Sequence, residues 1–276
     1  MDRIRLIASD MDATLLDEQS QLPAGFEETI HALAELGIRF APASGRPLYT
    51  LEAMFPTLQD ELVFIGDNGG AIRWKGQNLF TSEMSPEGWR ALNRLTREQG
   101  DIAVLCGLES AYVERPFAVH DAVLRHFYTK IEYVDRLEDV TAPADKFTIY
   151  LPQHNAQQAY DTVYASQRSI YSVAVAGECW VDIMNSGVHK GAALQTLGQL
   201  WGLPSESIMA FGDTYNDAEM LQTVRYGFLM ENGSEPLRQK VPFLAPSHRE
   251  AGVMQVLHRV LAQNGCVCPE DFVPAH

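Results

Sequence analysis

The sequence predicts an α/β fold in which a parallel β-sheet, covered by helices on both faces, is interrupted by an inserted α/β segment. Three observations predict it. Apolar strand candidates alternate with amphipathic helices at both ends of the chain, polar clusters follow several of those strands, and the middle of the chain changes to short, hairpin-like strand pairs. With 276 residues, of which 46% are hydrophobic, the chain can fill a large core and a second domain.

The N-terminal part alternates strand and helix. Ile4–Ser9 is a short, mostly apolar run of the kind that forms a buried parallel strand. A helix opens at Pro23 and ends at Gly37, with apolar residues at helical spacing. Also predicted here are the strands Ile38–Ala43 and Leu62–Ile65 and a hairpin of Ala71–Trp74 with Asn78–Thr81 across Lys75-Gly76.

The middle of the chain has a different rhythm. A helix starts at Ser85 and Pro86 and ends at Gly100, and further helices are predicted near Val119–Tyr128 and Asn155–Ser166. The predicted strands of this part are Ile102–Cys106, Tyr112–Glu114, Ile131–Val134, Phe147–Leu151, Ser172–Ala176 and Trp180–Met184. The elements predicted after it are a helix opened by Lys190 over Ala192–Leu200, strands Ser207–Phe211 and Tyr226–Met230, and helices near Asp217–Thr223 and over Glu250–Ala262. We therefore predict a discontinuous core, residues 1–82 and 187–276, and an inserted α/β cap, residues 83–186.

Charge and composition exclude several classes of partner. Acidic residues outnumber basic ones 36 to 21, a net charge of -15, so we expect no nucleic-acid binding. No apolar run approaches the ~20 residues of a membrane-spanning helix, and the first residues do not resemble a signal peptide. Four cysteines are too sparse for a disulfide scaffold, and we expect free thiols in a reducing cytoplasm.

Asp10 and Asp12 directly follow the first predicted strand. Residues two apart in extended backbone point to the same side, so both carboxylates can face one ligand. Such a pair suits an ionised nucleophile or metal ligand next to a general acid or base. Ordinary solvated residues at the end of a strand would have the same pattern, so the pair alone does not establish a catalytic or metal-binding site.

Three further clusters lie at predicted strand or helix ends. Gly212-Asp213-x-x-Asn216-Asp217 places two carboxylates, which are the hard oxygen ligands that Mg²⁺ prefers, after a strand. The same segment also fits a simple helix N-cap. Ser44-Gly45-Arg46 offers a hydroxyl, a close-approaching backbone and a guanidinium, all suited to phosphate. Lys190 opens a helix and can neutralise a phosphate or a carboxylate.

Taken in order, these clusters resemble the haloacid dehalogenase superfamily of aspartate-nucleophile phosphatases, in its Cof-like branch with a large α/β cap. The resemblance covers essentially the whole chain, including Asn68-Gly69 and the insertion between the second and third motifs. It implies a Rossmann-like core and a Mg²⁺-dependent phosphatase that acts on a small phosphorylated metabolite, such as a sugar phosphate, nucleotide or phosphorylated cofactor. A monomer or homodimer is expected.

The resemblance also implies a role for each matching residue. Asp10 is the expected nucleophile that carries an aspartyl-phosphate, and Asp12 the acid that protonates the leaving oxygen and then activates water. The other implied roles are phosphoryl binding by Ser44, Gly45 and Arg46, charge balance by Lys190, orientation of Lys190 or phosphate by Asn216, and Mg²⁺ binding by Asp10, the main-chain carbonyl of Asp12, Asp213 and, directly or through water, Asp217.

One position departs from the family. Ala13 stands where relatives usually have glycine, which tolerates unusual backbone angles. We expect activity to survive this change. Two other functions remain open at this point: a phosphomutase of the same fold, and a non-catalytic protein that binds a phosphorylated metabolite.

Overall fold

The computed structural model describes the whole chain, from Met1 to His276. Its strands are β1 (Asp2–Arg3), β2 (Leu6–Asp10), β3 (Arg39–Ala43), β4 (Val63–Gly66), β5 (Ala71–Trp74), β6 (Gln77–Thr81), β7 (Ile102–Gly107), β8 (Ala111–Glu114), β9 (Ile131–Val134), β10 (Ala144–Tyr150), β11 (Tyr171–Val175), β12 (Trp180–Asn185), β13 (Ile208–Gly212), β14 (Tyr226–Met230), β15 (Phe243–Ala245), β16 (Cys266–Val267) and β17 (Val273–Pro274). Its α-helices are α1 (Phe26–Glu35), α2 (Leu48–Ala53), α3 (Pro86–Gln99), α4 (Asp121–Phe127), α5 (Ala156–Asp161), α6 (Lys190–Trp201), α7 (Ala218–Thr223) and α8 (Gly252–Ala262).

The larger sheet has nine strands in the order β17-β15-β14-β13-β2-β3-β4-β5-β6. Its centre, from β15 to β4, is parallel, and the hairpin β5–β6 and the strand β17 add antiparallel edges. Leu6 and Ala8 enter one hydrophobic cluster and Ile7 the other, so the sheet is buried on both faces. Helices α1 and α8 cover one face and α6 and α7 the other.

A second sheet of six strands lies in the middle of the chain, in the order β11-β12-β10-β7-β8-β9. All its pairs are antiparallel except β8 with β9. It has hydrophobic clusters of its own, built around residues such as Leu105, Phe147 and Trp180. We call the part of the chain that contains this sheet, residues 83–186, the cap.

The predicted fold class is confirmed, and most elements lie where the sequence places them. Helix α1 begins at Phe26, later than the predicted start at Pro23, because Gly25 adopts a left-handed φ of 76° at the N-cap. The helix predicted over Asn155–Ser166 is α-helical only over Ala156–Asp161. Helix α2 and the short strands β1, β15, β16 and β17 are not among the predicted elements, since segments of two to six residues carry little pattern. No helix is long and apolar enough to span a bilayer.

Candidate active site

The parallel register brings the predicted polar clusters to one edge of the larger sheet. Asp10 is the last residue of β2 and pairs with Ala43 of β3, so Ser44 lies beside it. On the other side of β2, Phe211 pairs with Ser9, which places Gly212 level with Asp10 and Asp213 just beyond the strand. The carboxyl edge of a parallel sheet is where ligands bind in such folds, because loops from neighbouring strands converge there.

Lys190 joins two of the predicted acids. Its ammonium donates a hydrogen bond to Asp10 Oδ1 and another to Asp217 Oδ1, the latter at 2.7 Å. The Lys190 side chain is 1% exposed. Burial alone would lower the pKa of Lys190, but the carboxylates of Asp10 and Asp217 raise it above its usual value. The lysine therefore stays charged, although it lies in the interior.

Asp217 is held by the turn that follows β13. Its Oδ2 accepts the backbone N–H groups of Asp213 at 3.0 Å and Thr214 at 3.3 Å. Gly212 permits this turn, because a Cβ at that position would lie 2.5 Å from the Cβ of Asp217. Since Lys190 contacts its other oxygen, the Asp217 carboxylate is fully engaged by the protein.

Asp10, Asp213 and Asp217 form a buried acidic cluster. One carboxylate oxygen from each lies within 4.8 Å of the others. Burial, with the nearby charge of Asp217, raises the pKa of Asp10 to about 8 even though Lys190 opposes the shift. Burial and Asp217 also raise the pKa of Asp213 to about 6. A divalent cation would relieve this repulsion, and carboxylate oxygens are the donors that Mg²⁺ prefers, so the residues present fit the predicted metal.

Asp12 and Arg46 form a second pair at the mouth of the site. The Arg46 guanidinium donates to both oxygens of Asp12, with one contact at 3.0 Å. The Asp12 side chain is 59% exposed, in contrast to Asp10, which is buried. The two aspartates therefore have different surroundings, which can give two carboxylates different protonation behaviour.

Ala13 has a backbone conformation that suits the glycine expected there from the family resemblance. Its φ is 56° and its ψ is 13°, in the left-handed region that favours glycine. The carbonyl of Ala13 accepts a hydrogen bond of 2.8 Å from the Asn232 side chain, in the loop after β14. The loop that carries Asp12 thus keeps its turn with alanine, and Asn232 holds it from outside.

Ser44, Gly45 and Asn216 also reach the site. Ser44 is 2% exposed, and its Oγ accepts the backbone N–H of Arg46 at 3.1 Å. Asn216 bonds to the hydroxyl of Thr214 and not to Lys190, so the orientation of Lys190 predicted for Asn216 comes from Asp10 and Asp217 in this structure.

A cavity of about 1310 Å³ connects these residues with the cap. It contains Asp10, Asp12, the Ser44–Arg46 loop, Asp213 and Asn216 on the core side. Residues on the cap side were not predicted from the sequence; they include Phe127, Tyr128, Lys146, Thr148, Trp180 and Asp182. No local signal marks them, because they come close to the sheet edge that carries Asp10 only when the second sheet lies over the first.

The chain belongs to the haloacid dehalogenase-like hydrolase family, whose model matches residues 7–257. This match confirms the predicted superfamily.

Particular relatives agree with it. The chain is 31% identical over 262 residues to the 5-amino-6-(5-phospho-D-ribitylamino)uracil phosphatase YbjI of Escherichia coli K12, covering 94% of this chain and 96% of that protein. It is 30% identical over 249 residues to the HMP-PP phosphatase of Cronobacter sakazakii, covering 87% and 89%. The crystal structure of SMU.1108c from Streptococcus mutans UA159 superposes with a TM-score of 0.85 at 28% identity, covering 94% and 99%. The predicted class of enzyme, a phosphatase, is confirmed by these relatives.

Proposed function

We propose that the chain is a Mg²⁺-dependent phosphatase that hydrolyses a small phosphorylated metabolite through an aspartyl-phosphate on Asp10. The observation that carries the proposal is the placement of Asp10: a buried carboxylate at a strand end, bonded to Lys190 and within 4.8 Å of the carboxylates of Asp213 and Asp217. A residue of this kind can attack phosphorus, and neighbouring positive charge can stabilise the charge on the phosphoryl group.

Asp12 and Arg46 serve the proton transfers in this proposal. In the first displacement Asp10 attacks phosphorus and Asp12 protonates the leaving oxygen. In the second, Asp12 takes a proton from the water that attacks phosphorus, which breaks the bond to Asp10 and releases phosphate. Arg46 holds Asp12 in the free protein. A guanidinium that moves from Asp12 to a phosphoryl oxygen would bind the substrate and release Asp12 for proton transfer at the same time.

Mg²⁺ would be held by Asp10, the main-chain carbonyl of Asp12 and Asp213. When bound, the cation would offset the negative charge of the acidic cluster and of the phosphoryl oxygens. Asp217, predicted to hold the cation directly or through water, would do so through water, since both of its oxygens already accept hydrogen bonds from Lys190 and from backbone amides. Ser44 and Lys190 bind the phosphoryl group, and Lys190 balances its charge.

In this proposal the chain consists of a core, residues 1–82 and 187–276, and a cap, residues 83–186, that acts as a lid. A lid over the carboxyl edge excludes bulk water and contacts the leaving group. It also favours small substrates over phosphoproteins. The side chains of Phe127 and Trp180 support this assignment, because both line the cavity that contains Asp10.

We further propose that the leaving group carries a planar heterocycle. The relative from Escherichia coli is named for a phosphorylated ribitylaminouracil. In this chain, Trp180 lies 4.6 Å from the ring of Tyr150 and 5.1 Å from that of Phe127, measured between ring centroids. An aromatic wall of this kind offers a stacking surface to a flat ring.

Hydrolysis of para-nitrophenyl phosphate with Mg²⁺ tests the reaction. We expect turnover that EDTA stops reversibly and that Asp10→Asn abolishes, while Asp60→Asn, which alters an exposed aspartate outside the site, leaves it unchanged. Turnover by Asp10→Asn at the wild-type rate would refute the mechanism. Phosphate binding without any turnover would favour the non-catalytic protein. Glucose 6-phosphate formed from glucose 1-phosphate ahead of free phosphate would favour the mutase.

A panel of phosphorylated metabolites tests the substrate class. We expect ribitylaminouracil phosphate and other heterocycle-bearing phosphates to have a higher kcat/KM than glycerol phosphate. Trp180→Leu should reduce kcat/KM for the ring-bearing compounds and leave kcat/KM for glycerol phosphate unchanged. The control is Trp74→Leu: Trp74 packs against Trp201 in the core, and its replacement should change neither value. Equal losses on both kinds of substrate would contradict a stacking role.

A further inference from the structure

Lys146 is a buried cation that the cap contributes next to the phosphate-binding loop. It lies on β10, and its side chain is 2% exposed. Its ammonium donates a hydrogen bond of 2.6 Å to the main-chain carbonyl of Gly45, the central residue of Ser44-Gly45-Arg46. None of the roles assigned so far uses this contact, although it joins the two parts of the molecule at the catalytic edge.

Carboxylates of the core and the cap surround this ammonium. Asp67 of the core lies 2.9 Å from it and Asp182 of the cap 3.6 Å from it. Burial alone would lower the pKa of Lys146, but Asp182 and Asp67 raise it well above its usual value. The cation therefore stays charged and is a strong donor, because a charge-assisted hydrogen bond is about twice as strong as a neutral one.

The contact with Gly45 continues to the hydroxyl of Ser44. In a planar trans peptide the carbonyl of Gly45 and the N–H of Arg46 point in opposite directions, so fixing one fixes the other. That N–H donates to Ser44 Oγ at 3.1 Å. The oxygen of Ser44 then accepts a hydrogen bond from its own loop, and its O–H is left to donate elsewhere.

The backbone on either side of this peptide is also fixed. The N–H of Ser44 donates to Ile65 at 2.9 Å, and its carbonyl accepts from the N–H of Asn68 at 2.9 Å. The peptide between Gly45 and Arg46 lacks such a backbone partner on its carbonyl side, where Lys146 takes that place. The orientation of the Ser44 hydroxyl thus depends on a residue of the cap.

We propose that Lys146 is a positioning residue for phosphoryl transfer: from the cap, it fixes the Gly45–Arg46 peptide so that the Ser44 hydroxyl donates to the phosphoryl group. The inference rests on the proposed function. If Lys146 has this role, the Ser44 hydroxyl is oriented toward the phosphoryl group only while the cap lies on the core. An enzyme with the cap displaced would bind phosphate without that oriented donor.

A double-mutant cycle with Lys146→Met and Ser44→Ala tests this link, with para-nitrophenyl phosphate and Mg²⁺. We expect Lys146→Met to lower kcat by about 10- to 100-fold, the effect of one lost hydrogen bond to a charged group. In the Ser44→Ala background the same substitution should change kcat by less than about twofold, because the hydroxyl it positions is gone. Losses that multiply in the double variant, or a kcat of Lys146→Met equal to that of the wild type, would overturn the inference.

Thr50→Val supplies a matched control. The hydroxyl of Thr50 accepts the N–H of Thr129 at 3.1 Å, a contact between core and cap that does not involve the Ser44 loop. Its effect on kcat, whatever its size, should multiply with that of Ser44→Ala. A loss of this effect in the Ser44→Ala background would show that any weakening of the cap acts through Ser44, and Lys146 would then have no specific role.

Folding and basic activity need separate checks. Lys146→Met leaves buried carboxylates without their cation, so its thermal unfolding is measured first. The cycle is repeated with Lys146→Met combined with Asp67→Asn, which also removes the charge of the nearer carboxylate, and the same non-additivity with Ser44→Ala is expected. Wild-type protein without turnover above Asp10→Asn would overturn the proposed function and this inference together. An active wild type with an additive cycle would overturn the inference alone.

Discussion

Replacing Asp217 by asparagine removes one negative charge and changes the side-chain volume very little. It therefore tests whether Asp217 stabilises the fold itself, in contrast to Asp213, which we expect to serve metal binding. The Asp217 side chain is fully buried, and its two oxygens face different donors. One accepts from Lys190 at 2.7 Å, and the other accepts from the N–H groups of Asp213 and Thr214. An asparagine amide in either orientation turns its NH₂ group toward a donor.

The magnitude follows from these contacts. Breaking a buried ion pair by removing one partner costs about 3–5 kcal/mol, and a buried donor left against another donor contributes about 1–3 kcal/mol of that loss. We therefore expect Asp217→Asn to lower the free energy of unfolding by about 4 kcal/mol. At about 2–4 °C for each kcal/mol in a protein of this size, Tm should fall by roughly 10 °C. The loss should be present in EDTA, since it does not depend on a bound cation.

Asp213→Asn is the matched control. The side chain of Asp213 accepts only a long hydrogen bond of 3.5 Å, from Thr14. Burial and Asp217 raise its pKa to about 6, so at pH 7.5 its charge opposes folding in the absence of metal. Asp213→Asn should thus leave Tm in EDTA unchanged or higher, and should abolish the rise in Tm that Mg²⁺ causes.

Thermal unfolding in EDTA and in Mg²⁺, followed by circular dichroism, measures both variants. If Tm of Asp217→Asn in EDTA stayed within about 2 °C of the wild type, the stabilising role of Asp217 would be refuted. The same holds if Asp213→Asn lost as much stability in EDTA as Asp217→Asn.

Three further predictions concern the same edge of the sheet. Folding raises the pKa of Asp10 to about 8 and that of Asp213 to about 6, so the metal-free folded state binds more protons than the unfolded state, and Tm in EDTA should fall from pH 5 to pH 8.5. The increase in Tm on adding Mg²⁺ should grow over that range, and a constant increase would contradict this. Ala13→Gly should change the free energy of unfolding, measured in urea, by less than about 1 kcal/mol, because relief of the left-handed φ offsets the greater entropy of the unfolded chain. Ala13→Val should lower the free energy of unfolding by more than this. Asp12→Ala should reduce kcat/KM more for alkyl than for aryl phosphates, since alkoxide leaving groups need the proton; equal losses would exclude Asp12 as the acid.

Local sequence patterns were enough to predict which residues lie at the edge of the larger sheet that carries Asp10. Asp10 ends a buried strand, and Lys190 opens a helix, as the alternation of apolar runs and helix signals predicts. The resemblance to a known superfamily then ordered these residues into one site. The unusual backbone at Ala13 was also indicated by the sequence, because the resemblance implies glycine at this position, and the structure shows a left-handed φ of 56° there.

Pairings that depend on side-chain direction were not predictable. The sequence indicates neither that Arg46 faces Asp12, nor that Asp217 rather than Asn216 orients Lys190. Both outcomes depend on loop geometry, in which a change of one backbone angle sends a side chain to another partner. The sequence did not single out the cap residue Lys146, because the predicted strand begins at Phe147, whereas β10 begins at Ala144 and includes the lysine.

The sequence by itself determined the class of fold, which predicted strands and helices carry the acids and Lys190, and the chemistry offered at the ends of those elements. These properties are local: strand ends, helix starts and residue types are readable from neighbours in the chain. The tertiary structure alone decided which charges meet, such as Lys146 with the carbonyl of Gly45. Residues 101 positions apart come together only when one sheet folds over another, and no periodicity in the chain records that contact.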